Sequence, residues 1–308
     1  MGMGEMILPA ICFWNLIMRV QRSHQALKSL LIGPSSASAV PSPTEVATSS
    51  CEGISLDSDE RFFEGGDGND CVESIGSHKS IDLGEGNNHL YSVGSRNVAR
   101  SGSGNDYFDM RGGDQAVFSD GGNNTVLTDD GNDFVALGDG ADLIRTKGGN
   151  DRVLSGGGND RVYVGSGKDV VFAGDGNDKV YGDSGYNVFH GEAGNDLLIG
   201  GSDTDYLSGG SDNDVLQGNQ GFNTYEGGSG ADHFILGSGS DWVNDFNSSE
   251  GDTVSFGEKF LDLGVTIENN FYVCFKGVTA NGEATDGTIV CQDVGQAKTL
   301  ALELASSW

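Results

Sequence analysis

The stretch SGGGNDRVYVGSGKDVVFAGDGNDKVY, residues 155–181, consists of three consecutive nine-residue units built on one plan. Each unit has glycine at its second and fourth positions, aspartate at its sixth and valine at its eighth. The same register runs from Gly65 to Asn244 without insertion or deletion, and LDSDERFFE at 56–64 is a degenerate candidate for one more unit. A short period repeated this often predicts a solenoid, in which each unit packs only on its neighbours.

The twenty aligned units have columns with strong preferences. The eighth position is apolar in every unit, the fourth is glycine in sixteen, and the sixth is aspartate in thirteen and asparagine in five. A formal charge of -29 and an apolar content of 36% would also fit a disordered chain. Collagen would share the 51 glycines, but it needs proline and a period of three. Scattered acidic residues would not produce such columns, so we predict an ordered fold.

The alternation of side chains within one unit indicates how it folds. Positions seven to nine form a short strand whose eighth residue faces an interior, and positions one to six form a turn in which glycine supplies unusual backbone angles. Two units make one coil of eighteen residues, and stacked coils pair their strands in parallel. The sequence therefore predicts an all-β fold, a right-handed parallel β-roll of about ten turns at the strand spacing of ~4.8 Å.

The core of such a roll is thin, and this points to a metal. One apolar side chain contributes about 2 kcal/mol, against ordering nine residues at about 1–2 kcal/mol each. Calcium binds six or more oxygens, and sixth-position carboxylates and turn carbonyls can supply them. Magnesium needs a small octahedral site, and zinc needs His or Cys ligands, so both fit the repeats less well. Roughly ten to sixteen ions between units n and n+2 would neutralise the acidic charge, so binding and folding should be one event.

The candidate metal ligands are the sixth-position carboxylates and the carbonyl groups of glycines at positions two and four. The aspartates are Asp70, Asp106, Asp133, Asp142, Asp151, Asp160, Asp169, Asp178, Asp196, Asp205, Asp214, Asp232 and Asp241. The glycines are Gly66, Gly68, Gly102, Gly104, Gly138, Gly140, Gly156, Gly158, Gly174 and Gly176.

Some units depart from this plan. Alternate units place their loops on opposite edges of the roll. On the second edge, which starts with the unit at 74–82, the first three sixth-position residues are Lys79, Asn97 and Gln115. We therefore expect fewer ions on this edge before about residue 129, unless carbonyls alone suffice. Asp203 and Asp212 replace the fourth-position glycine, and we expect them to adopt a left-handed backbone angle.

The composition changes outside the repeats, which predicts three segments. For residues 1–50 we predict an N-terminal helix at 5–32 and a Ser/Pro-rich linker at 33–50; residues 51–244 form the roll. In residues 245–308, VTIENNFYVCFKG and GTIVCQDV predict antiparallel strands of a small cap that covers the open end of the roll. The tail KTLALELASSW would add a final strand or helix to this cap.

Two further features leave alternatives open. Cys274 and Cys291 lie in strand-like runs and could form a disulfide or remain buried thiols, while the five cysteines show no CxxC spacing of a zinc or redox motif. The outward-facing strand residues of the second sheet of the roll form an apolar stripe. Such a stripe indicates a contact with residues 5–32, with the C-terminal segment or with a partner. The stripe consists of Phe118, Phe134, Leu154, Val170, Phe172 and Val188.

The units GGDGNDCVE, SGGGNDRVY and AGDGNDKVY match the pattern GGxGxDxUx, so the chain resembles the RTX (haemolysin-type) calcium-binding repeat proteins over residues 65–244. DFNSSEGDTVSF at 245–256 also resembles the segment that commonly follows such repeats. The resemblance implies a parallel β-roll with calcium at the sixth-position aspartates. It also implies export by a type I secretion apparatus through an uncleaved C-terminal signal, an extracellular location, and folding by calcium after secretion. The cysteines and the N-terminus depart from the family.

No catalytic motif accompanies the repeats: HExxH, GxSxG and a P-loop are all absent from the sequence. We therefore expect a non-enzymatic extracellular calcium-binding protein, structural or surface-associated. The alternative is an accessory module of a secreted polysaccharide-modifying enzyme, protease or lipase whose catalytic domain is elsewhere; an enzyme site on the roll surface is a third class. The acidic charge argues against nucleic acid, no stretch predicts a membrane span, and a polysaccharide or surface component remains a candidate partner.

Overall fold

The computed structural model shows a parallel β-solenoid of about 11 turns with almost no helix, which confirms the predicted fold class. The predicted N-terminal helix at 5–32 and the linker at 33–50 lie outside the described residues. The structure describes residues 53–257, 260–268, 272–279, 284–291, 296–297, 300–301 and 304. Among these residues, no helix reaches the length and apolarity that crossing a bilayer requires.

The strands, numbered in chain order, form two facing parallel sheets, and β19 runs through both of them. Sheet A contains β1 (Ile54–Leu56), β3 (Cys71–Ile75), β5 (His89–Val93), β7 (Tyr107–Arg111), β9 (Thr125–Leu127), β11 (Leu143–Arg145), β13 (Arg161–Ser166), β15 (Lys179–Ser184), β17 (Leu197–Gly201), β19 (Val215–Ser229), β20 (His233–Leu236) and β22 (Thr253–Phe256). Sheet B contains β2 (Phe62–Glu64), β4 (Ser80–Asp82), β6 (Asn97–Ser101), β8 (Gln115–Ser119), β10 (Phe134–Ala136), β12 (Arg152–Gly157), β14 (Val170–Asp175), β16 (Asn187–Ala193), β18 (Asp205–Ser211), β19 and β21 (Ser238–Phe246).

The strand register follows the eighteen-residue coil of two units. Val153 pairs with Val171, and Phe63 pairs with Ile81, so the degenerate unit at 56–64 belongs to the solenoid. At the other end Phe234 pairs with Val254, twenty residues away, because the last loop holds two extra residues. The parallel pairing therefore continues beyond the point where the nine-residue register stops.

The core contains the predicted ladder and a second one that was not predicted. Eighth-position side chains are buried throughout, from Val72 at 2% exposure to Val243 at 0%. Strands of five to seven residues also turn the first position of the next unit inward, as at Ser92 and Met110, and Leu83, which directly follows the short strand β4, is buried as well. The expectation of one inward residue per unit was wrong, because positions six, eight and one alternate toward the same side. The sixth-position aspartates consequently face the interior as well.

The fourth position requires a left-handed backbone. Gly158 has φ 121°, and the predicted left-handed angles of Asp203 (φ 78°) and Asp212 (φ 77°) are confirmed. Most second-position glycines adopt a positive φ too, as Gly156 at φ 106° and Gly174 at φ 103° do, whereas Gly138 has no positive φ. A Cβ there would overlap the Asp120 carbonyl oxygen of the preceding coil, so close stacking excludes a side chain.

The predicted antiparallel strands are confirmed at the C-terminal end. They are β23 (Phe260–Glu268), β24 (Tyr272–Thr279) and β25 (Ala284–Cys291), and β25 also pairs in parallel with β21, so the cap extends sheet B. Helical residues follow, among which Ala297, Leu300 and Leu304 join the buried core.

The disulfide considered between Cys274 and Cys291 does not form, because Cys274 is a free thiol. The antiparallel register places Cys274 opposite Thr288, whose Oγ1 lies 3.8 Å from its Sγ, while Cys291 lies three residues farther along β25. Cys71, in contrast, is disulfide-bonded.

The apolar stripe lies on the outer face of sheet B, as predicted. The rings of Phe118 and Phe134 are 5.5 Å apart between centroids, and Arg100 lies over the Phe118 ring at 5.1 Å. Leu154, in the same outward row, is 8% exposed.

We expect Phe189→Ala to destabilise the calcium-loaded roll by about 3–5 kcal/mol, because it removes a fully buried ring from the eighth-position ladder. The control Phe222→Ala removes a ring that is 68% exposed and should change the unfolding free energy by less than about 0.5 kcal/mol. Urea denaturation of the calcium-loaded proteins measures both. Equal losses would contradict the assignment of the ladder as core.

Candidate metal sites

A hydrogen-bond ladder runs along the sixth positions of the roll. From Asp70 to Asp214, the backbone N–H of each sixth-position residue donates to a side-chain oxygen of the sixth-position residue one coil later. Examples are Asp142 N–H to Asp160 Oδ1 at 2.8 Å and Asp160 N–H to Asp178 Oδ1 at 2.7 Å. Because one oxygen of each side chain is held in this way, the direction of its second terminal atom is fixed.

In twelve of the predicted aspartates a carboxylate oxygen has no hydrogen-bond partner, although each of these residues is at most 2% exposed; in Asp70 this is true of both oxygens. They are Asp70, Asp106, Asp133, Asp142, Asp151, Asp160, Asp169, Asp178, Asp196, Asp205, Asp214 and Asp232. A buried anionic oxygen without a partner is strongly unfavourable, so these carboxylates require a counter-charge.

The predicted glycine carbonyls lie in the gaps between coils. A Cβ added to Gly158 would overlap the carbonyl oxygen of Gly140, and one added to Gly176 would overlap that of Gly158. The same approach to the next coil is made by the carbonyl oxygens of Gly66, Gly68, Gly104, Gly138, Gly156 and Gly176. The Gly102 carbonyl accepts a hydrogen bond from Asp120 N–H at 3.3 Å, and Gly174 lies in the ladder between β14 and β16. All ten glycines therefore belong to the stacked loops.

Units with asparagine reveal what the orphaned oxygen faces. The Asn88 amide donates from Nδ2 to the carbonyl oxygens of Gly84 and Gly86, both at 3.2 Å, while its Oδ1 accepts the Asp70 N–H. A nitrogen donor among carbonyl acceptors is satisfied. An aspartate held by the same ladder bond would instead present an oxygen to them.

The asparagine Nδ2 and the aspartate Oδ2 occupy equivalent places in the roll, as their positions relative to the first-position glycines show. The Nδ2 atom of Asn187 lies 2.6 Å from a Cβ built on Gly182, and the Oδ2 atom of Asp196 lies in the same place relative to Gly191. Carboxylate and carbonyl oxygens repel one another when they converge, and a cation between them converts this repulsion into coordination.

Burial raises the pKa of the ladder aspartates in the absence of a cation. Loss of solvation is the main cause, and it raises the pKa of Asp142 and Asp169 to about 7 and that of Asp214 to about 8. Hydrogen bonds from the backbone N–H of the previous coil oppose this shift. The direction agrees with the missing counter-charge, because without a cation these groups retain a proton near neutral pH.

The donor set is one of hard oxygens. Within the described residues, no three His, Cys, Asp or Glu side chains converge on one point, so carbonyl groups must complete any coordination shell. A shell of one or two carboxylates and several carbonyls suits calcium, whereas zinc prefers nitrogen and sulfur. The residues present therefore fit the predicted ion.

Asp241 differs from the other predicted aspartates. Its Oδ1 accepts hydrogen bonds from Asn223 Nδ2 at 3.1 Å and from the Tyr225 hydroxyl at 3.3 Å, and its Oδ2 accepts the Gly237 N–H at 3.1 Å. Both oxygens are satisfied by protein donors. This residue consequently lacks the orphaned oxygen that the twelve others share.

The sequence reasoning missed Asp252, which lies beyond the regular register. Its Oδ1 accepts the Asp232 N–H at 3.0 Å, and its Oδ2 accepts the Asn247 N–H at 2.7 Å. It ends the ladder after a loop that is two residues longer. The segment GDTV at 251–254 carries the same Asp-x-apolar signal as a repeat unit, so a search that allowed an insertion would have found it.

Comparison with known proteins agrees with this geometry. A family model described as the RTX calcium-binding nonapeptide repeat matches four copies, at residues 118–153, 154–189, 181–216 and 217–244. No curated protein matches the chain.

We expect Asp160→Asn to remove one bound calcium ion and leave the fold intact. The amide can still accept the Asp142 N–H, and its nitrogen then satisfies the loop carbonyls as Asn88 does. Native mass spectrometry at saturating calcium counts the ions. The matched control is Asp82→Asn, an exposed outward-facing strand residue, which should leave the count unchanged. An unchanged count for Asp160→Asn would contradict the ladder sites.

The calcium-free and calcium-loaded proteins should respond to pH in opposite directions. Burial raises the pKa of Asp133, Asp178 and Asp196 to about 7, above the ~3.9 of an unfolded aspartate, so the calcium-free fold binds the extra protons. Its stability is fully present below the unfolded pKa and is lost as the pH rises through about 7.

With calcium bound the carboxylates must be ionised, so acid should weaken the loaded fold. Circular dichroism of calcium-depleted protein between about pH 8 and pH 5 should show β signal rising on acidification. A β signal that falls over this range without calcium would count against the buried ladder.

Proposed function

Because residues 118–244 of this chain are RTX calcium-binding nonapeptide repeats, we propose that the protein is an extracellular structural or surface-associated protein that folds on binding calcium. The row of twelve buried aspartates, each with a carboxylate oxygen that has no partner, is the observation that carries this proposal. Each of these oxygens faces the gap between two stacked loops and would contribute to one calcium site.

The charge of the chain supports this stoichiometry. About twelve calcium ions would bring about +24 charges to a chain of formal charge -29. Without the ions, the sixth-position carboxylates of successive coils lie in two closely spaced rows and repel one another. Coulombic repulsion from Asp196 and Asp232, for example, adds to the burial that raises the pKa of Asp214.

Folding should be coupled to calcium binding because burial of the apolar core does not by itself offset the unfavourable free energy of burying the carboxylates. The first position of a unit is often glycine, serine or threonine, so the second inward ladder adds little apolar area in most coils. Burial of a single Val or Leu per unit does not offset both chain ordering and the desolvation of a carboxylate. Calcium removes the second cost, and binding then drives folding.

An extracellular location has two independent supports. Proteins with RTX repeats, such as those matched at residues 118–244, are typically secreted. Disulfides persist in oxidising compartments, and Cys71 is disulfide-bonded. A chain whose aspartate-bearing coils stay unfolded until they meet calcium suits export through a type I secretion apparatus, which the resemblance to RTX proteins implies.

We also propose that the chain is not itself an enzyme. The stacked carboxylates that a hydrolase could use as paired acid and base belong to the buried ladder, where all but Asp70 have one oxygen held by a backbone N–H. Catalytic carboxylates need access to substrate, and these are at most 2% exposed.

Calcium titration of the metal-depleted chain at neutral pH tests the proposal. We expect a cooperative rise in β signal and about twelve bound ions at saturation, measured by circular dichroism and native mass spectrometry. Magnesium at the same concentration should give little of either change, because the loops offer many oxygens rather than a small octahedron. A β signal that chelator leaves unchanged at neutral pH would refute calcium-driven folding.

A further inference from the structure

The second edge of the roll begins with a buried ammonium group. Lys79, a sixth-position residue, is 2% exposed, and its Nζ donates to the carbonyl oxygens of Asp57 and of Glu60, the latter at 2.6 Å. Among the described residues, no carboxylate lies within ion-pair distance of this group. Loop carbonyls therefore solvate the Lys79 charge in the way that they would solvate a metal ion.

The next two coils of this edge use amide nitrogens in the same manner. Asn97 Nδ2 donates to the Gly76 carbonyl at 3.0 Å, and Gln115 Nε2 donates to the carbonyls of Gly94 at 2.5 Å and Gly112 at 2.6 Å. These carbonyls belong to the loop of the residue itself or of the preceding coil. All three are third-position carbonyls, adjacent in the loop to the second- and fourth-position carbonyls assigned to calcium in the regular coils.

The amide groups cannot turn to offer an oxygen instead. Asn97 Oδ1 accepts the Lys79 N–H at 3.0 Å, and Gln115 Oε1 accepts the Asn97 N–H at 3.3 Å. A reversed amide would place its NH₂ group against a backbone N–H donor and lose this bond. The ladder therefore fixes nitrogen toward the carbonyls in these coils, and oxygen toward them in coils that carry aspartate.

We propose that the side-chain nitrogens of Lys79, Asn97 and Gln115 replace calcium in the first three coils of the second edge, so that this end of the roll is held together without metal. The inference rests on the proposed calcium sites of the later coils. On the first edge Asn88 and Asn124 direct Nδ2 to loop carbonyls in the same way.

The arrangement divides the roll into two parts. Between Asp70 and Asp133, Asp106 is the one acidic sixth-position residue, whereas most later units carry aspartate. The segment 71–132 is therefore almost free of the carboxylate repulsion that calcium must relieve. In a solenoid each coil forms on its neighbour, so an end that is ordered without calcium provides a surface on which calcium-dependent coils can assemble.

Ion counting tests the replacement directly. Gln115→Asp places an oxygen where the amide nitrogen now meets the carbonyls of Gly94 and Gly112, so native mass spectrometry at saturating calcium should find one ion more than in the wild-type chain. Gln115→Asn keeps the nitrogen and is the matched control with an unchanged count. An unchanged count for a folded Gln115→Asp would overturn the inference.

Hydrogen exchange keeps the proposal testable if a variant folds poorly. In wild-type protein in chelator at neutral pH, we expect backbone amides at 71–127 to be protected at least ~10-fold more than those at 133–236, since local stability can differ between segments. Equal loss of protection in both segments would contradict a metal-free end. Failure of the wild-type chain to bind any calcium would refute the proposed function instead, so the two failures are distinguishable.

The role of Lys79 is tested separately by hydrogen exchange in two variants. Lys79→Met removes the donor to the Asp57 and Glu60 carbonyls, and exchange at 57–64 should accelerate roughly tenfold with or without calcium. Lys79→Asp should accelerate it in chelator only, because added calcium can then occupy the position. A Lys79→Asp variant that calcium does not rescue would show that the ammonium is not a substitute for the ion.

Discussion

The hydrogen bond from a backbone N–H to the sixth-position side chain one coil later orients every candidate site in this roll except that of Asp70. It uses one terminal atom of that side chain and directs the other toward the loop carbonyls. Whether the directed atom is oxygen or nitrogen then decides whether the coil needs a cation. Asp160 and Asn88 share the ladder bond and differ in this one atom, and their loops consequently differ in what they can bind.

This constraint explains how a fold with a thin core can be specific. The two sheets are connected at both edges by loops that have little apolar surface, so the coils are held in register mainly by strand pairing and by the ladder. Calcium between loops would add a strong and local attraction at each step of the stack that carries a sixth-position aspartate. On the proposed function, the groups that bind the ion are also those that destabilise the roll without it.

Much of this arrangement could be predicted from the repeat, and the failures share a physical cause. The eighth-position ladder and the left-handed angle at Asp203 follow from side-chain type and period alone. The inward first position depends on how far the strands extend, which the apolar pattern does not report where glycine or serine is present. Asp252 was missed because a two-residue insertion shifts it out of register, although the coil closes around the insertion.

The sequence by itself determined the coil length, the direction of the apolar ladder and the column of carboxylates, because a strict nine-residue period leaves little freedom in how units stack. Only the tertiary structure decided which atoms face the loop carbonyls, since that depends on a hydrogen bond between residues eighteen positions apart. It showed Asp241 to be satisfied by Asn223 and Tyr225, and the Lys79 ammonium group to be bound by loop carbonyls. Such roles depend on the neighbouring coil, and a single unit does not contain them.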